Sequence, residues 1–248
     1  MKQIVKNIPN FITLLNLVAG FTAIIFAFNI NTIAYAPYYI FLAAVFDFFD
    51  GFAARLLKSN SVIGKELDSL ADVVSFGIAP GVLMYQMLQF SSFNFLMFEK
   101  STFVNIIVAS LIPAFSALRL AKFNIDERQG DTFIGLPTPA SAILIASITI
   151  IFFSSDSLLG LGALSYTYIG LIAISVVDSF LMVCNLPMFS LKMKSFSLKK
   201  YSIQILFLFI CLLCLILMSI KALPVIIVFY ILISVFLYVK ERLVGKAA

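Results

Sequence analysis

The chain has 248 residues, 62% of them hydrophobic and 12% charged, with a mean hydropathy of +1.10. A soluble domain holds roughly 45–50% apolar residues, so this composition excludes an ordinary water-soluble fold and predicts a protein whose solvent is a bilayer. The net charge is +5 and histidine is absent, which removes imidazole bases, histidine-containing triads and HExxH zinc sites and leaves acid-base chemistry to carboxylates.

A spanning helix needs about 20 mainly apolar residues, and in chain order the candidate spans are about 11–30, 33–57, 65–88, 102–122, 138–153, 164–184, 203–220 and 222–240. The sequence therefore predicts an all-α polytopic membrane helix bundle of about eight transmembrane helices, with residues 1–248 forming a single membrane domain. Met1 to Asn10 is polar and lacks a small-residue cleavage site, so the first span is expected to stay in the mature chain. Lys and Arg near span ends favour the cytoplasmic side. Of the 17 basic residues, 15 fall on one side of the predicted topology, and only Lys100 and Lys221 fall on the other. Both termini and the 2–3, 4–5 and 6–7 loops are thus expected in the cytoplasm, with the protein in the inner membrane. The positive charge also favours anionic membrane lipids, Lys192, Lys194, Lys199 and Lys200 serving as anchors, and it is not a nucleic-acid footprint. Cys184, Cys211 and Cys214 lie in apolar runs, where a thiol packs as a small hydrophobe.

The acidic residues are unevenly placed. Asp126, Glu127 and Asp131 read as a solvated loop face, but Asp47, Asp50, Asp68 and Asp72 cluster on spans two and three. An ionised carboxylate inside a span costs about 2.5–3.5 kcal/mol even on insertion scales, which marks these four as functional. Asp47 and Asp50 are three residues apart and Asp68 and Asp72 four, so each pair shares a helix face. Spans two and three form an antiparallel hairpin that puts Asp50 and Asp72 at similar depth, about 12 Å above the loop. Four facing carboxylates would repel one another unless cations neutralised them, and two divalent ions about 3.5–4 Å apart would do so. Oxygen ligands alone favour Mg²⁺ or Mn²⁺, with Ca²⁺ also admissible. Gly51, Ala54 and Gly64 leave room for a head group, and Arg55 offers a fork for phosphate.

Written out, Asp47-x2-Asp50-Gly51-x2-Ala54-Arg55-x8-Gly64-x3-Asp68-x3-Asp72 resembles the complete signature of the CDP-alcohol phosphatidyltransferase family. The resemblance implies a six-helix catalytic core, about 8–184 here, carrying the signature on its second and third spans, with 203–240 adding two spans. It implies that Asp47, Asp50, Asp68 and Asp72 bind two divalent metals, that Asp72 is the general base, and that Gly51, Ala54, Arg55 and Gly64 cradle CDP. Ile8-Pro9-Asn10, Thr13 to Leu17, Ser75 to Pro80, Ala117 to Asn124 and Phe133 to Ala140 are similar to the integral-membrane branch that uses serine. That likeness implies CDP-diacylglycerol and L-serine as substrates, adds Asn10 and Thr13 to the CDP site, and is compatible with a homodimer. Arg119, Lys122 and Asn124 are candidates for the serine carboxylate or lipid phosphates, and as plain positive-inside anchors Arg119 and Lys122 would need no such role. Gly135 to Pro139 also reads as a turn before span five, and Asp178 as an interhelical hydrogen-bonding residue. Two rival readings are a sister transferase using glycerol phosphate or an inositol, and a cation-coupled transporter.

Overall fold

The computed structural model describes residues 7–59, 61–91, 101–125, 133–154, 167–188 and 202–244. The helices are α1 (Ile8–Ala27), α2 (Ala36–Leu56), α3 (Val62–Asp72), α4 (Ala79–Phe90), α5 (Thr102–Ile125), α6 (Thr138–Phe153), α7 (Tyr168–Val183), α8 (Ser202–Met218) and α9 (Leu223–Val244). A 3₁₀ turn, Ile33–Tyr35, leads into α2, and a π-helical turn, Val73–Ile78, joins α3 to α4 without a break. The short strands β1 (Phe133–Ile134) and β2 (Pro187–Met188) pair antiparallel, with Phe133 opposite Met188. The sequence pattern did not announce this ribbon.

Among the described residues, four helical runs are long and apolar enough to cross a membrane: Ile8–Ala27, Val62–Phe90, Thr102–Ile125 and Gln204–Lys240. Thr138–Phe153 and Tyr168–Val183 are apolar but shorter. The last long run is a hairpin rather than one span. Ser219 has φ 54°, a reversal within the 3₁₀ turn Ser219–Ala222, and the rings of Phe207 and Phe229 stack with centroids 6.2 Å apart. In a continuous helix those residues would be about 33 Å apart. The first helix also begins earlier than hydropathy alone predicts, at Ile8, because Pro9 sits in its first turn, where a missing N–H costs nothing.

The outer face of the bundle is apolar as well as its core. On α1 the buried stripe is Pro9, Thr13, Asn16, Gly20, Ala23 and Ala27, while Phe11, Val18, Phe21 and Ile25 point outward. Small residues let helices approach closely, and large apolar side chains face the hydrocarbon solvent. The main core joins Ala23, Ile40, Phe76, Leu83, Met87, Ile112 and Ile145, contributed by α1, α2, the π turn, α4, α5 and α6. A second cluster of Leu136, Met182 and Met188 closes the end beside the ribbon.

Candidate active site

α1 packs along both α2 and α3, whereas α2 and α3 make little contact with each other. The expected hairpin is therefore an open one, wedged by α1, with its aspartates facing across the gap. Its bend is fixed locally. Lys58 takes φ 49°, with Lys58 N donating to the Arg55 carbonyl at 3.3 Å and Ser59 N to that of Ala54 at 3.0 Å. Ser61 then caps α3 by accepting from the Gly64 amide at 2.9 Å. Across the gap, one carboxylate oxygen from each of Asp47, Asp50 and Asp68 lies within 4.8 Å of the others. Asp50 is buried, and Asp47 and Asp68 are half-buried.

Asp72 stands beside this cluster and is held differently. The fully buried Asn16 donates from Nδ2 to Asp72 Oδ1 at 3.3 Å. The Asp47 and Asp72 carboxyls are close enough to repel each other, and Thr13, whose hydroxyl donates to the Pro9 carbonyl at 3.0 Å, lies near Asp50. Asn16 is fixed from behind, because Ser75 Oγ donates to its backbone carbonyl at 3.0 Å. That contact requires Gly20, since a Cβ there would overlap Ser75 Oγ and lie 2.6 Å from Ser75 Cα. The π turn carries Ser75 into this position, an example of a π segment at a functional site.

The donor set fits a hard divalent cation. Buried polar atoms are ordinarily paired, yet Asp50 Oδ2 and Asp68 Oδ1 are buried with no hydrogen-bond partner among the described residues. Asp50 and Asp68 each contribute an oxygen to the three-residue cluster, whose side chains are all carboxylates. Nearby, a Cβ on Gly51 would meet only Arg55 Nη1, at 3.8 Å, so that flank of α2 is open. Gly64 is required for a different reason. A Cβ there would come 2.8 Å from Ser61 Oγ and 2.9 Å from Asn10 Oδ1, so glycine lets α3 meet α1. Ala54 is half-buried and Arg55 is exposed.

The other candidates separate. Arg119 is buried at 7% exposure, within electrostatic range of Asp72 and Tyr230 and 5.7 Å from the Phe123 ring centroid. Its Nε has no hydrogen-bond partner among the described residues. Lys122 is exposed. Asn124 acts as a strap: its Nδ2 donates to Ser69 Oγ at 2.8 Å while Lys65 Nζ donates to its carbonyl at 3.0 Å, tying the end of α5 to α3. Asp178 accepts from Ser141 Oγ at 2.5 Å, the interhelical bond that its isolation in the sequence predicts. Gly135 is a turn residue with φ 73°, and a Cβ on it would lie 2.5 Å from the Met182 carbonyl oxygen. Lys2, Glu99, Lys100, Asp126, Glu127, Arg128, Asp131, Asp156, Lys192, Lys194, Lys199, Lys200 and Lys246 lie outside the described residues.

Asn16 lies within the Thr13 to Leu17 motif, but the motif alone gives it no role beside Asp72; Tyr230 belongs to a hairpin without any recognisable pattern.

Comparison with known proteins identifies the family. Residues 6–177 match the family described as CDP-alcohol phosphatidyltransferase. The CDP-diacylglycerol–serine O-phosphatidyltransferase of Bacillus subtilis is 35% identical over 164 residues, covering 65% of this chain and 85% of that protein. The archaetidylserine synthase of Methanothermobacter thermautotrophicus is 33% identical over 151 residues, 60% of each chain. A CDP-diacylglycerol–serine O-phosphatidyltransferase of Methanocaldococcus jannaschii is 38% identical over 139 residues, 56% of this chain and 58% of that one. Against these two archaeal relatives the matched stretch spans under two thirds of their length. With the signature aspartates gathered in one cleft and the family match running over most of the chain, the chain belongs to the CDP-alcohol phosphatidyltransferase family.

Proposed function

We propose that this chain transfers the phosphatidyl group of CDP-diacylglycerol to the hydroxyl of L-serine, giving phosphatidylserine and CMP. The observation that carries the reading is the cleft itself: three carboxylates converge within 4.8 Å, and a fourth, Asp72, is oriented beside them by Asn16. Asp47, Asp50 and Asp68, with Asp72 adjoining, would hold two divalent cations, Mg²⁺ or Mn²⁺. When bound, these supply positive charge that offsets the pyrophosphate and the charge developing on departing CMP. The open flank at Gly51 and Ala54 receives the cytidine diphosphate head, with Asn10 and Thr13 on the α1 side and Arg55 meeting phosphate at the mouth. The serine oxygen attacks the lipid-linked phosphorus, the bond from that phosphorus to the CMP oxygen breaks, and Asp72 takes the hydroxyl proton. Burial of the reacting carboxylates among helices gives fixed orientation without solvent reorganisation.

Serine is favoured over glycerol phosphate because, among the described residues, the buried cation near Asp72 is Arg119, matched to a single carboxylate, while Lys122 is exposed. The membrane arrangement we propose has eight spans, the α8–α9 hairpin supplying the last two, with both termini and the cleft mouth on the cytoplasmic face of the inner membrane.

The test is CMP release by purified protein supplied with CDP-diacylglycerol, divalent metal and one alcohol at a time. Serine should support turnover, glycerol phosphate and inositol should not, and EDTA should abolish turnover reversibly. CMP release with glycerol phosphate and none with serine would overturn the acceptor assignment.

A further inference from the structure

α3 carries two of the four cleft aspartates, yet it makes little contact with α2 or α5, and Val62, Ile63 and Leu70 on its outer side are exposed. Apart from its continuation into the π turn, its placement rests on two adjacent faces. Gly64, Asp68 and Asp72, spaced by four, form one stripe, and that stripe meets α1. A Cβ on Gly64 would come 2.9 Å from Asn10 Oδ1, and Asp72 accepts from Asn16. Lys65 and Ser69 form the next stripe, about 100° further round the helix, and they meet α5. Asn124 Nδ2 donates to Ser69 Oγ at 2.8 Å, Lys65 Nζ donates to the Asn124 carbonyl at 3.0 Å, and Ser69 Oγ donates to the Lys65 carbonyl at 3.2 Å. The three residues thus close a ring of hydrogen bonds across the gap between α3 and α5. The Lys65 ammonium also meets a carbonyl in the last turn of α5, where a cation is favoured.

We propose that Lys65, Ser69 and Asn124 are positioning residues for the metal site: their ring fixes the rotation of α3 about its own axis, and with it the distance of Asp68 and Asp72 from Asp47 and Asp50. The inference rests on the two-cation reading above. Side chains reach about 5–6 Å from a helix axis, so a rotation of about 20° would carry the two carboxylates by about 2 Å. That is as long as a Mg²⁺–oxygen bond, about 2.0–2.1 Å, at an ion that demands near-ideal octahedral geometry. The ring acts through α3 and touches neither the donor nor the reacting atoms.

Binding of Mn²⁺ to the purified protein, followed by loss of the free-ion EPR signal, tests this without turnover. Asn124→Ala and Ser69→Ala should each raise the Kd for Mn²⁺ about three- to tenfold, as for loss of one hydrogen bond. The double variant should add almost nothing to either single change, since the two side chains act as one unit. Ser69→Thr, which keeps the accepting hydroxyl, should bind Mn²⁺ like the wild type, and at saturating Mn²⁺ the KM for serine should stay at the wild-type value in all three single variants. Wild-type Mn²⁺ affinity in both alanine variants, whatever their unfolding midpoints, would overturn the positioning role and leave the two-cation reading standing. If Asn124→Ala raises the serine KM at saturating Mn²⁺ and Ser69→Ala does not, Asn124 is an acceptor contact and the role is likewise overturned. If wild-type protein and Asp50→Asn bind Mn²⁺ equally, or neither binds it, the two-cation reading fails and the inference falls with it.

Discussion

Replacing Asn16 by alanine removes the only hydrogen bond that the structure gives Asp72 from α1, Nδ2 to Oδ1 at 3.3 Å. Hydrogen bonds to charged groups contribute about 1.5–3 kcal/mol, and a distance at the long end of the usual range places this one at the lower end, about 1.5 kcal/mol. At about 1.4 kcal/mol per factor of ten, that is roughly a tenfold loss if Asn16 acts by aiming the base in the transition state. The loss should appear in kcat, with affinity for CDP-diacylglycerol preserved, because Asn16 is no part of the three-oxygen cluster. Asn16→Asp is the harsher variant, since it keeps the size of the side chain, removes the donor and adds a fifth carboxylate to the cleft. Single-turnover rates with saturating donor and serine, alongside direct donor binding, separate the two effects. Wild-type kcat in Asn16→Ala, or a loss confined to donor binding, would refute the orienting role.

Asp72→Asn should lower kcat by about 10²–10⁴, the range for loss of a general base, while donor binding weakens less than in Asp47→Asn or Asp50→Asn, as binding and rate measured on the same preparations will show. Gly20→Val should lower thermal stability, because a Cβ alone would sit 2.6 Å from Ser75 Cα; overpacking of this kind costs about 1–3 kcal/mol, read as a fall in the unfolding midpoint. With the native cysteines replaced, Gly245→Cys should react with an impermeant thiol reagent only after the inner face is opened, and labelling from outside would reverse the proposed orientation.

The helices and the aspartate constellation were legible because both rest on short periodicities. Hydropathy over about 20 residues finds spans, and spacings of three and four put Asp47 with Asp50 and Asp68 with Asp72 on common faces. Less legible was anything set by a third element. The gap between α2 and α3 exists because α1 wedges them, and that depends on Gly20, Gly64 and the small stripe of α1, residues that look like ordinary packing in isolation. Asn16 belongs to this class: a single asparagine in an apolar span gains its role only when Asp72 is brought opposite it. Asn124 gains a role that its motif did not show, strapping α5 to α3 through Ser69. The α8–α9 hairpin has no charge pattern to align it, and its docking through Tyr230 depends on ring packing that sequence periodicity does not encode.

The central claim is that the serine hydroxyl attacks the lipid-linked phosphorus in the aspartate cleft, and following a heavy-oxygen label tests it most directly. Serine labelled at its hydroxyl oxygen is incubated with CDP-diacylglycerol, divalent metal and the purified protein, and both products are analysed by mass. All the label should be retained in the phosphodiester of phosphatidylserine, with unlabelled CMP formed in equal amount and none formed by Asp50→Asn. Label in CMP, or CMP release without labelled phosphatidylserine, would contradict it.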